Sequence, residues 1–114
     1  MREEITKQKH KELLDEFKDL LDESRFYDAH ESLEEIWFPR RFEDDAEMKL
    51  LKGFINASVS FELIKKGRLE SSDKVWKNYI KYIPLLDVVE SEFKKDYESI
   101  KLHVEKTKKK LTIN

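Results

Sequence analysis

Cysteine is absent from the 114 residues, so the chain can form no disulfide, no thiolate-ligated zinc centre and no cysteine nucleophile. Glycine and proline are scarce, two of each, which leaves long stretches with nothing to interrupt a helix. No charge of one sign dominates either: 23 Lys and Arg stand against 25 Asp and Glu, a formal net charge of -2. That balance excludes the overall field that draws a protein onto nucleic acid or an anionic membrane. No apolar run approaches the roughly 20 residues needed to cross a bilayer, and the opening MREEITKQKHKELLDEF lacks the apolar core of a signal peptide. These absences lead to the expectation of a soluble cytoplasmic protein with neither a membrane nor a nucleic-acid partner. The basic tail EKTKKKLTIN, with no interleaved aromatics, reads as a solvated helix end that complements the helix dipole.

What is abundant is charge of both signs, 42% of the chain, with Gln8 as the only glutamine. A Lys/Glu-rich, thermolabile-poor balance of this kind is typical of proteins from hot environments. At this length the chain forms one domain, residues 1–114, large enough to bury about two-thirds of the surface its unfolded form exposes.

The apolar residues recur at helical period throughout, which predicts an all-α bundle of about five helices. A first helix over about 3–23 gathers Ile5, Leu13, Leu14, Phe17, Leu20 and Leu21 on one stripe. Ser24 is placed to cap a second helix that ends near Phe38, because Pro39 disfavours helical geometry in the residue before it. Asp44 and Glu47 have capping-box spacing for a third helix that runs to Lys66 and stops at Gly67. Leu50, Leu51, Phe54, Ile55, Val59, Phe61, Leu63 and Ile64 spread around most of that helix. Lys52, Asn56 and Ser60 form a polar row on it, and Gly53 is small enough for a close crossing. A fourth helix, about 69–83, aligns Leu69, Val75, Trp76, Tyr79, Ile80 and Ile83. Pro84 fits the first position of a fifth, which carries Leu86, Val89, Phe93, Tyr97, Ile100 and Val104.

Chemistry concentrates in FYDAHESLEEIW, residues 26–37. At 100 degrees per residue, Phe26, Ala29, Leu33 and Trp37 form the buried stripe, while Tyr27, His30 and Glu34 share its shoulder and Glu31 flanks them. His30 and Glu34, four apart, can hydrogen-bond each other or converge on a ligand. H-E-x-x-E differs from the zincin H-E-x-x-H in its last residue, so a metal hydrolase would use His30 and Glu34 as ligands and Glu31 as general base. Such a zinc needs a third protein ligand, for which Glu62, His10 and His103 are the candidates. The E-x-x-H ligand set of di-iron bundles is absent. Against this stands a structural reading, in which Glu34 and Asn56 of the third helix satisfy the His30 ring, His10 and His103 lie at the surface, and Trp76 and Tyr79 belong to the core.

The run FYDAHESLEEIW, followed by LLKGFINASVSFELIKKG, resembles the small all-helical family catalogued as domain of unknown function 309. The family pattern is an aromatic pair, then A-H-E-x-L-E-x-x-W, then L-x-G-x-I-x-x-A ending in a basic pair and glycine. Phe26, Tyr27, Ala29, His30, Glu31, Leu33, Glu34 and Trp37 match the first part, and Leu51, Gly53, Ile55 and Gly67 the second. The resemblance covers about residues 10–83. Ser24 stands where the pattern has glycine, Arg68 where asparagine follows the second glycine, and Glu62 and Leu63 near a second histidine. The resemblance implies a compact helical bundle and no agreed activity.

The functional expectation is a non-enzymatic module that binds a small molecule or a protein through Tyr27, His30, Glu31, Glu34, Trp37 and Asn56. No cofactor and no metal is expected, the ligands of any metal being His30 and Glu34. No catalytic residue is assigned outside the hydrolase alternative, and a homodimer is compatible with this reading.

Overall fold

The computed structural model describes residues 5–112. Five α-helices make up the bundle among these residues: α1 (Lys7–Asp22), α2 (Phe26–Trp37), α3 (Ala46–Lys65), α4 (Leu69–Tyr82) and α5 (Lys94–Thr112). Short 3₁₀ turns at Phe38–Arg40 and Ile83–Asp87 follow α2 and α4, and there is no strand among the described residues. The expected start of the first helix at residue 3 lies outside the described residues. Thr6 instead caps α1, its Oγ1 accepting the Lys9 amide at 3.1 Å.

The joints between helices explain several departures from expectation. Ser24 is not the N-cap of α2. It sits at φ 59° and closes α1, with its own amide on Leu21 O at 3.0 Å and the Arg25 amide on Leu20 O at 2.9 Å. This is the Schellman arrangement, which needs a left-handed residue at its centre and therefore favours glycine. Gly67 closes α3 in the same way at φ 77°, with Gly67 N on Ile64 O and Arg68 N on Leu63 O. Left-handed geometry thus favours glycine at the Ser24 position. Ser24→Gly is expected to stabilise the fold by about 1 kcal/mol, the order of the steric cost of left-handed backbone in a residue with a Cβ. Chemical denaturation of the two proteins checks this, and an unchanged or lower midpoint contradicts it.

Helix α3 begins one residue later than the capping-box reading. Asp45 is the cap, accepting the Met48 amide at 2.8 Å, while Asp44 pairs with Lys49 at 2.7 Å. Glu47 does not reach back to the cap; its carboxylate is taken by Tyr97 and Ser91. The fifth helix also starts later than Pro84. That proline enters the 3₁₀ turn, a loop follows, and Ser91 Oγ accepts the Phe93 amide at 3.0 Å just before α5.

Helix α3 is the axis of the core, packed against α2, α4 and α5, while α1 packs against α2 and α5. Leu50, Leu51, Phe54, Ala57 and Phe61 are sealed on it. A Cβ on Gly53 would stand 3.0 Å from Tyr82 Cβ, so glycine permits the α3/α4 crossing as expected. The expected α1 stripe is buried from Leu13 to Leu21, and Ile5 packs against its edge. Helix α4 contributes less than its pattern implied: Tyr79 is buried, Trp76 and Ile83 pack at the margin, and Leu69 and Ile80 are exposed.

Candidate functional site

Helix α2 turns Phe26, Ala29, Leu33 and Ile36 inward and leaves its shoulder in water. His30 Nδ1 lies 3.1 Å from Tyr27 O and its Nε2 lies 3.2 Å from Glu34 Oε2. The Tyr27 ring meets the imidazole edge-on at 5.4 Å and is 58% exposed. The expected His30–Glu34 pair is therefore formed, but at the surface, with side-chain exposures of 19% and 42%. Pairs in such a setting contribute at most about 1 kcal/mol, so this one holds the shoulder in shape and does little for the core.

Asn56 is not the partner of His30. Its Nδ2 donates to Lys52 O at 2.7 Å and its Oδ1 accepts from Asn78 at 3.2 Å. The polar row on α3 faces α4, where Ser60 and Ser72 also exchange hydrogen bonds. Trp37 does not complete the buried stripe expected of α2, where Ile36 is buried in its stead. Trp37 is half-buried and lines a cleft of about 300 Å³ with Met48, Lys52, Phe42 and Tyr82. Beside it the Arg41 guanidinium lies 3.7 Å from the Phe38 ring centre and 4.5 Å from that of Phe42, which is 87% exposed.

Tyr27 O at Nδ1 and the Glu34 carboxylate at Nε2 are both acceptors, and a neutral imidazole can donate to only one of them. Among the described residues no three His, Cys, Asp or Glu side chains converge as a metal site. Glu62 on α3 joins no such group, and the two histidine candidates are engaged elsewhere. His103 Nδ1 is 3.2 Å from Asp22 Oδ1, and His10 is buried against α5. The ligand set of the hydrolase reading is thus not assembled among these residues.

Glu31, Glu34 and Glu35 do share a feature. With Asp28 they form one wall of an open groove of about 960 Å³ between α2 and α1, whose opposite side carries Glu16, Asp19 and Glu23. Seven carboxylates line it against two cations, Lys9 and Arg25, and Arg25 is already paired with Asp28 at 2.9 Å. Ser32 crosses the floor to Glu16 Oε1 at 3.0 Å. Phe38 also lines it. The local field is strongly negative although the whole chain is nearly neutral.

A scan for known families places residues 14–75 in the domain of unknown function DUF309. The chain belongs to the DUF309 family. No curated protein and no solved structure matches it.

One constellation of this DUF309 protein escaped the sequence reading. His10, expected at the surface, is only 6% exposed, stacked on Phe93 with ring centres 3.9 Å apart. Its Nε2 lies 3.0 Å from Tyr97 Oη, which donates to Glu47 Oε2 at 2.6 Å; Ser91 Oγ donates to the same oxygen at 2.7 Å. The signal was present: His10, Leu13, Leu14 and Phe17 continue the spacing of three and four of the α1 stripe. Burial pushes the His10 pKa down, against the upward pull of Glu47, Asp96 and Glu92, with Arg40 adding to the depression. Burial also holds the Tyr97 and Tyr79 phenols above their ordinary range, reinforced by Glu47 and Glu105 respectively.

A depressed histidine pKa makes stability fall in acid, because the unfolded chain takes up the proton first. The loss begins as pH drops through the ordinary value of 6.5 and continues down to the lower value of the folded state. Urea unfolding from about pH 7 to about pH 5 should therefore show decreasing stability, with a shallower decrease in His10→Phe. Equal slopes in the two proteins would contradict the assignment to His10.

Proposed function

We propose that this DUF309 protein is a non-enzymatic binding module whose contact surface is the outer shoulder of α2 together with the groove it forms against α1. The partner is a protein segment rich in Lys and Arg. The observation that carries this reading is the lining of the groove, seven carboxylates to two cations. Clustered like charge costs stability through self-repulsion, and a cationic partner removes that cost on binding. Phe38 in the groove lining and Tyr27, exposed on the shoulder of α2, supply the aromatic contact that interfaces favour. The His30–Glu34 pair orients this surface and takes no part in chemistry. Trp37 and Asn56, facing other helices, are left out of it. The balanced charge of the chain, and the absence among the described residues of a helix long and apolar enough to cross a membrane, accord with a cytoplasmic setting.

Calorimetry with a synthetic Lys/Arg-rich helical peptide tests the proposal. Binding is expected to weaken steeply with salt, and by about tenfold or more in Glu31→Lys/Glu35→Lys, whose altered residues are exposed and make no core contact. Binding unchanged by both salt and charge reversal would refute it.

A further inference from the structure

The hydroxyl of Tyr97 carries one hydrogen, and the short bond to Glu47 commits it. Toward His10 the same oxygen can only accept, so His10 Nε2 carries the ring hydrogen when the imidazole is neutral. Nδ1 is then an unprotonated acceptor. Among the described residues it has no hydrogen-bond partner, whereas every buried side-chain nitrogen or oxygen has one. Nδ1 is therefore not sealed, and His10 lines a cleft of about 420 Å³ with Thr6, Arg40, Glu47, Ser91 and Phe93.

Most charge around this cleft is spoken for. Lys7 pairs with Glu92 at 3.3 Å, and Arg40 with Glu43 at 2.9 Å and Asp45 at 3.6 Å. Glu47 receives both of its hydrogen bonds, from Tyr97 and Ser91, on Oε2. Its other oxygen accepts none among the described residues, although Arg40 acts on its charge through space. A ligand entering the cleft thus meets two directional acceptors, Nδ1 and Glu47 Oε1, one of them on a carboxylate. An anion would be repelled by both. A metal ion would find only two donors.

We infer that this cleft is a second binding site, separate from the α2 surface, and that it takes a small protonated primary amine, which donates N–H bonds to His10 Nδ1 and to the free oxygen of Glu47. The volume lies in the range of small-molecule sites, which place a few fixed polar groups in a concave wall. Tyr97 and Ser91 hold Glu47, and Tyr97 with Phe93 holds the imidazole, so both acceptors are ordered before the ligand arrives. Charge-assisted donation is the stronger class of hydrogen bond, which makes the ammonium preferable to an alcohol.

The test uses the full chain labelled with ¹⁵N at histidine and follows the two imidazole nitrogens of His10 at neutral pH. Before any addition the spectrum must show hydrogen on Nε2 and a bare Nδ1; the opposite tautomer overturns the inference. Ethylammonium chloride is then titrated beside tetramethylammonium chloride, which has the same charge and no N–H donor. A saturable shift of Nδ1 with ethylammonium alone is the expected result. No shift, or equal shifts with both salts, overturns it. In Glu47→Gln, which keeps an oxygen for Tyr97 and Ser91, the ethylammonium affinity is expected to fall about tenfold, and an unchanged affinity counts against the site. Should that variant not fold, the comparison of the two salts on the native protein decides alone.

Discussion

Phe54→Ala is expected to cost about 3–5 kcal/mol, the range found when a large aromatic is removed from a rigid core. Phe54 is fully sealed on α3, the helix that packs against α2, α4 and α5. Its ring centre lies 6.1 Å from that of Tyr79 on α4 and 6.3 Å from that of Tyr97 on α5, so one truncation opens a void shared by three helices. Neighbours held in place by their own hydroxyl bonds, to Glu105 and Glu47, cannot collapse into that void. Denaturant unfolding checks the value. A loss below about 1 kcal/mol would show that the bundle repacks and that α3 is not its axis.

Tyr97→Phe tests the polar half of the same core. The ring survives, but His10 Nε2–H loses its acceptor in a buried site and Glu47 keeps only Ser91. Leaving a buried donor unsatisfied costs about 1–3 kcal/mol. Tyr79→Phe is the internal control, because its hydroxyl bonds to Glu105, whose side chain is 48% exposed and can turn to water. A smaller loss is expected there. Equal losses at the two tyrosines would mean that the His10–Tyr97–Glu47 chain adds nothing beyond an ordinary phenol contact.

Much of this was legible in the residues. The α1 stripe and the all-round apolar surface of α3 follow from period alone, and Gly67 is where a left-handed cap was expected. Other features depend on what lies across space. Asn56 was matched to His30 because both are polar and near the same crossing, yet its row points at α4, a direction that helix period cannot fix without knowing the neighbour. A single histidine among lysines reads as surface, although the spacing of His10 puts it on the apolar face. Glu47 had the spacing of a capping box but found stronger partners on the loop before α5 and on α5 itself. Ser24 looked like an N-cap by chemistry and is a left-handed closure by geometry. In the candidate site, the Tyr27, His30 and Glu34 shoulder was visible in advance. The α1 wall of the acidic groove was not, since Glu16, Asp19 and Glu23 read as a solvated face until α2 is laid beside them.

Mapping the Lys/Arg-rich peptide on the native protein by ¹H–¹⁵N correlation spectra tests the proposed surface most directly. The account predicts saturable shifts concentrated on Glu16, Asp19, Asp28, Glu31, Glu35 and Phe38, with Tyr27 at the margin and α4 and α5 unmoved. Shifts centred on the Trp37 and Phe42 cleft or on α5, or no shifts at all, would contradict it.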